Sequence, residues 1–154
     1  MKALTIQQPW AWLIIRPDIT DPQERAAAIA RGEVKNFENR TWYPRGNQPF
    51  RFLVHAGKTI DAEAWQWVRR RFPGITMPAQ SELQTGGIIG SVLYTGSLNY
   101  AMPNPNPWWT GPCGWHLEDP TPLPFTPLRG QLGLFDVPAE VIREIQKSAS
   151  EVTP

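Results

Sequence analysis

The sequence predicts an α+β domain, a small curled sheet or barrel with helices packed around it, and three observations carry that prediction. The runs with strand character are short and interrupted by glycine, as in Gly87 to Leu93 (GIIGSVL), which is the habit of a tightly curved sheet. Seventeen prolines fix many turns and keep the elements short. Between the strand-like runs lie stretches whose apolar residues recur at helical spacing. A chain of 154 residues, with no internal repeat and no linker long enough to divide it, reads as one domain over 1–148 and a tail, 149–154, that should fray.

The elements follow in order. Ala3 to Ile6 is an apolar run suited to a first strand, and Pro9 then opens a helix with Trp10, Leu13 and Ile14 on one face. Gln7 and Gln8 precede that helix and can line whatever lies at its N-terminus. Asp21-Pro22 with Glu24 is a helix start, and Gly32 is its stop. Phe50 to His55 alternates, with Phe52 and Val54 on one face and Leu53 and His55 on the other; His55 reads as a hydrogen-bonded core residue. A helix beginning near Thr59 or Asp61 carries Ala64, Trp65, Val68 and Phe72 on one face, and Arg69 to Arg71 in its last turn suit the helix dipole and read as a solvated helix end, with a phosphate patch as the alternative. Met77 to Gly86 reads as a loop, and so does the proline-rich Tyr100 to Pro112. Cys113 to Leu117 and Leu132 to Val137 are closing strands joined by a turn over Pro120 to Pro127, with His116 on the surface near that turn. Val141, Ile142 and Ile145 mark a short amphipathic C-terminal helix.

Composition excludes several classes. No run of eighteen apolar residues is present, and the start, MKALTIQQPWAWLI, has a proline and two glutamines where a signal peptide needs a continuous apolar stretch, so a cytoplasmic protein with no membrane partner is expected. Cys113 stands alone and, with only His55 and His116, completes neither a disulfide nor a tetrahedral zinc site; no metal and no cofactor is expected. The net charge of +1 is unevenly spread. Residues 31–58 carry Arg31, Lys35, Arg40, Arg45, Arg51 and Lys58 against only Glu33 and Glu38, so a basic cleft is expected around that segment.

Within it, GEVKNFENRTW (32–42) sets Lys35, Glu38 and Arg40 six residues apart or fewer. If the segment is extended, Glu38 and Arg40 share a face, and Lys35, just past a glycine stop, should be at least partly exposed. The pair is then either a solvent-facing ion pair or part of a site. In a site, Lys35, Arg40 and Arg45 can contact phosphate, Glu38 can accept from a base amino group, and Trp10, Trp108 or Trp109 can stack on a base. Adjacent side chains diverge, so one of Trp108 and Trp109 should enter the core and the other face the ligand.

Gly32, Lys35, Glu38 and Arg40 resemble the glycine, lysine, glutamate and arginine signature of the ASCH domain (activating signal cointegrator homology), a branch of the PUA-like β-barrel superfamily. Leu4-Thr5-Ile6-Gln7-Gln8-Pro9-Trp10-Ala11, Tyr43-Pro44-Arg45-Gly46, His55-Ala56, Pro107 to Pro112, Gly114 to Leu117 and Arg129 to Phe135 extend the resemblance over residues 3 to 138. It implies a PUA-like barrel with a cleft bordered by the signature strand, and RNA, a nucleotide or a modified nucleoside as partner. The superfamily also holds small hydrolases of N4-acylated cytidine nucleosides that rely on a lysine, a threonine and a glutamate. Lys35 matches the lysine, but Glu38 stands where the threonine would be, and a carboxylate is a different nucleophile from a hydroxyl. The alternative to a binding domain is therefore an amidohydrolase of that kind or a ribonuclease, with Lys35 and Glu38 as acid and base.

Overall fold

The computed structural model describes residues 1–46, 48–99 and 106–152. Among these described residues it holds six strands, β1 (Lys2–Gln8), β2 (Phe37–Arg40), β3 (Phe50–Ile60), β4 (Gly87–Leu98), β5 (Cys113–Pro127) and β6 (Leu134–Asp136), and four α-helices, α1 (Trp10–Ile15), α2 (Pro22–Ala30), α3 (Ala64–Arg71) and α4 (Ala139–Val152). The predicted α+β class is observed. The strands form one sheet in the order β2-β5-β4-β3-β1-β6, with β1 and β3 parallel and the other neighbours antiparallel. The ladder does not close into a barrel. It curls, and the Arg40 guanidinium of β2 donates to the Thr5 carbonyl of β1 at 2.8 Å, although three strands separate the two in the ladder.

Three register shifts between β4 and β5 bend this part of the sheet, since each bulge adds local twist. At Gly90 a Cβ would lie 2.6 Å from the Ile15 side chain and 2.7 Å from the Thr121 carbonyl, so only glycine lets α1 settle on the curl. Beneath α1 the core gathers Leu4, Ile6, Ile14, Ile15, Phe52, Val54, Val92, Tyr94, Trp115 and Leu117. A second cluster joins α1 to α3 through Leu13, Phe37, Val68, Phe72 and Trp108, and α4 covers the opposite face with Ile145 against Ala3, Leu53, Ile88 and Phe135.

Several local expectations need correction. Pro120 to Pro127 is not a turn but the second half of β5. Strand β2 pairs with Cys113 to His116 and the Leu117 amide donates to the Asn36 carbonyl, but beyond Leu117 β5 has a strand on one side alone among the described residues, and an edge is where proline's missing N–H is tolerated. Strand β3 continues through Thr59 and Ile60, which delays α3 to Ala64. The Met77 to Gly86 loop contains a 3-10 turn at Gln80–Glu82. His116 lies within β5, not at a turn, with its ring tilted on Phe37 and its Nδ1 2.6 Å from Thr95 Oγ1. Helix α4 runs past Ser148 to Val152, so most of the expected frayed tail is helical, and residues 153–154 lie outside the described residues, as do 100–105 of the proline-rich loop. Among the described residues, no helix is long and apolar enough to cross a membrane.

Candidate binding cleft

Helix α2 is capped by Asp21, whose side chain accepts from the Gln23 amide, and it ends at Gly32, where φ is 75°. The chain then turns under α1: the Lys35 amide donates to the Leu13 carbonyl at 2.9 Å. This anchor puts Lys35 inside the protein, 4% exposed, where a partly exposed side chain was expected. Its ammonium donates to the Phe37 carbonyl, lies 4.0 Å from Glu38 Oε1 and sits 5.9 Å from the centre of the Trp10 ring. Burial pushes the Lys35 pKa below its ordinary value of 10.5; Glu38 opposes that shift and Arg40 reinforces it.

Period-two alternation in β2 sends Phe37 into the core and both Glu38 and Arg40 to the wall of a cleft of about 700 Å³. Glu38 is 7% exposed. Its Oε1 accepts from the Asn39 amide at 3.1 Å and lies 3.9 Å from Arg40 Nε, while its buried Oε2 has no hydrogen-bond partner among the described residues. Asn39 holds the tryptophan loop in place: its Nδ2 donates to the Trp108 carbonyl, and its Oδ1 accepts from the amides of Thr110 and Gly111.

Trp108 is the core member of its pair. It is 1% exposed, stacks on Phe72 with ring centres 4.0 Å apart and planes 2° from parallel, and donates its Nε1–H to the Gly32 carbonyl, the last contact fixing the glycine that starts the signature. Only part of it borders the cleft. Trp109 does not take the complementary, ligand-facing place: it packs against Gly114, where a Cβ would lie 2.2 Å from its ring, and it is absent from the cleft wall. Arg45 is exposed and lies off the wall as well.

The aromatic surfaces of the cleft are instead Trp10, as expected, and Trp67 of α3, which the sequence reading missed. The two rings meet edge to face with centres 5.6 Å apart, and Trp10 donates to Asp61 Oδ2 at 3.0 Å. One sign of Trp67 was available: it falls beside the apolar stripe of Ala64, Trp65, Val68 and Phe72, so the core alone does not explain it. Lys58, Asp61 and Glu63 were missed too. With them the wall carries Lys35, Arg40 and Lys58 against Glu38, Asp61 and Glu63, which makes the cleft formally neutral and not basic. The excess cations of residues 31–58 are engaged elsewhere or point away: Arg31 pairs with Glu33, Arg51 with Asp119, and Arg45 faces solvent.

A second cavity of about 850 Å³ adjoins this one, sharing Thr5, Gly57, Lys58, Gln131 and Leu132. His55 stands on its wall as the hydrogen-bonded core residue expected, with Nδ1 3.2 Å from Thr5 Oγ1 and Nε2 2.5 Å from the Leu128 carbonyl. Among the described residues no cluster of three or more His, Cys, Asp or Glu side chains is placed to hold a metal ion. No protein-family model matches this chain, and no curated protein matches it.

Proposed function

We propose that this chain is an ASCH-like domain of the PUA-like type, its curled sheet serving as an incompletely closed barrel, and that it binds the base of an RNA, a nucleotide or a modified nucleoside in the cleft. The observation that carries the reading is Glu38 Oε2, a buried carboxylate oxygen with no hydrogen-bond partner among the described residues, on the wall of a cavity the size of a small ligand. Leaving such an acceptor unmet is costly, and a base amino group satisfies it. Trp10 and Trp67 supply aromatic surface beside it, and Asn39, Arg40 and Lys58 supply donors for a base carbonyl or a phosphate. Charge balance in the cleft favours recognition of the base over attraction to phosphate alone.

The test is calorimetric titration with cytidine, adenosine and uridine. Saturable binding that prefers the amino-bearing nucleosides, with the preference lost in Glu38→Gln, is the expected result. Equal binding of uridine, or no binding of any nucleoside, overturns the reading.

One observation favours turnover as a second reading: the buried Lys35, its pKa lowered, stands 4.0 Å from Glu38. A neutral Lys35 amine can take a proton from water as the water oxygen attacks an acyl carbon, and return it to the nitrogen as the C–N bond breaks. Glu38 would orient that water, in an N4-acylcytidine amidohydrolase, or the attacking hydroxyl in a ribonuclease. Incubation with N4-acetylcytidine and with RNA, read by mass, separates turnover from binding alone.

A further inference from the structure

From the placement of α3 we infer that the cleft serves a single-stranded nucleic acid chain, with Arg70 and Arg71 forming a phosphate ledge that continues from the base cleft. The inference rests on the base-binding reading and extends it to the partner. On α3, Glu63, Ala64 and Trp67 line the cleft, and Arg70 and Arg71 follow Trp67 at i+3 and i+4, on the same face and one turn further, about 5.4 Å along the axis. Arg69 projects from the opposite side of the helix. All three arginines are exposed, and among the described residues no carboxylate lies within ion-pair distance of any of them.

The helix dipole explains cations in a last turn but is indifferent to the side they occupy. It accounts for Arg69 as well as for the other two. What it leaves unexplained is that the Arg71 guanidinium lies 4.4 Å over the ring of Trp67, a wall residue of the cleft. A guanidinium held over an aromatic face is restrained by cation–π attraction and keeps several N–H donors for a phosphate. The division of charge agrees: a neutral cleft takes a base, which is uncharged, and an unopposed basic ledge beside it takes the backbone, which is not.

The experiment measures cytidine by calorimetry, and a mixed-sequence single-stranded RNA of about ten nucleotides by fluorescence anisotropy across a potassium chloride series. The parent should bind the RNA more tightly than cytidine. In R70Q/R71Q the slope of log affinity against log salt should fall by about 1.4, two phosphates at about 0.7 each, and cytidine affinity should stay unchanged in R70Q, which does not touch the Trp67 contact. R70Q alone, which leaves the Arg71 contact in place, should give about half that fall, and R69Q none. An unchanged slope in R70Q/R71Q, or an equal loss in R69Q, overturns the ledge. Cytidine binding without any gain for RNA also overturns the ledge and leaves the base reading standing. RNA binding that depends on Arg70 and Arg71, with no nucleoside binding, supports the ledge and overturns the base cleft, and binding of neither probe overturns both.

Discussion

Glu38→Gln is the most informative single change, because the amide keeps the shape of the carboxylate while removing its charge and turning one acceptor oxygen into a donor. Glu38 Oε1 faces two cations, Lys35 Nζ at 4.0 Å and Arg40 Nε at 3.9 Å. Each contact is worth about 4 kcal/mol of attraction at an effective dielectric of about 20, before the cost of desolvating the partners is set against it. The Arg40 side chain is 26% exposed, so water screens its share; that of Lys35 is 5% exposed, and the loss falls mainly there. Removing one partner from a buried pair typically costs about 3 to 5 kcal/mol, and that is the expected deficit while Lys35 carries its proton.

The deficit should also depend on pH, with a sign fixed by Lys35. Its pKa in the folded protein lies below the ordinary 10.5, so between the lowered value and 10.5 the folded state binds fewer protons than the unfolded chain, and stability rises with pH across that window. Below the window the cost of the buried ammonium is fully present. Glu38 is the influence that holds the Lys35 pKa up, so Glu38→Gln widens the window downward. As pH climbs, the amine loses its proton and needs no counter-charge, and the deficit shrinks. Urea unfolding of parent and variant from about pH 6 to about pH 10 measures this, and Lys35→Met should lose the pH dependence assigned here to Lys35. A deficit below about 1 kcal/mol, the scale of a surface ion pair, or one that stays constant with pH, would refute the argument.

Two further outcomes are expected. Trp108→Ala should lower stability by about 3 to 5 kcal/mol in urea unfolding, since it empties a stacked core position, and Trp109→Ala should cost less; the reverse order would exchange their roles. Arg45→Ala should leave both the melting temperature and the nucleoside affinity of the parent unchanged, and a loss of affinity would return Arg45 to the site.

What could be read from the sequence was what depends on neighbours along the chain. The alternation of Phe52 and Val54 against Leu53 and His55, the Asp21 cap and the Gly32 stop are local devices, and each is found where expected. The shared face of Glu38 and Arg40 follows from the strand period alone. The errors have a different origin. A lysine after a glycine stop reads as exposed until the amide of Lys35 is seen bound to Leu13, and a proline run reads as a turn until β5 is seen to lose one neighbour after Leu117. Neither fact lies within the few residues that suggested the expectation.

The charge of the cleft shows why this distinction bears on function. Counting along the chain gave residues 31–58 an excess of cations, yet the wall is set by the parallel pairing of β1 with β3, which brings Gly57 to Asp61 beside Thr5 to Gln8 and so toward Lys35 to Arg40. The Asp61 amide donates to the Gln8 carbonyl at 2.8 Å, and the Asp61 carboxylate takes the indole N–H of Trp10. Two acidic residues, Asp61 and Glu63, thereby reach a cleft whose local sequence looked basic, and α3 delivers Trp67 with them. The pairing that neutralises the cleft is thus the one that furnishes its aromatic wall. A ligand attracted only by phosphate charge gains little from such a wall, whereas a flat base with an amino group can use the rings together with the Glu38 oxygen that has no partner among the described residues.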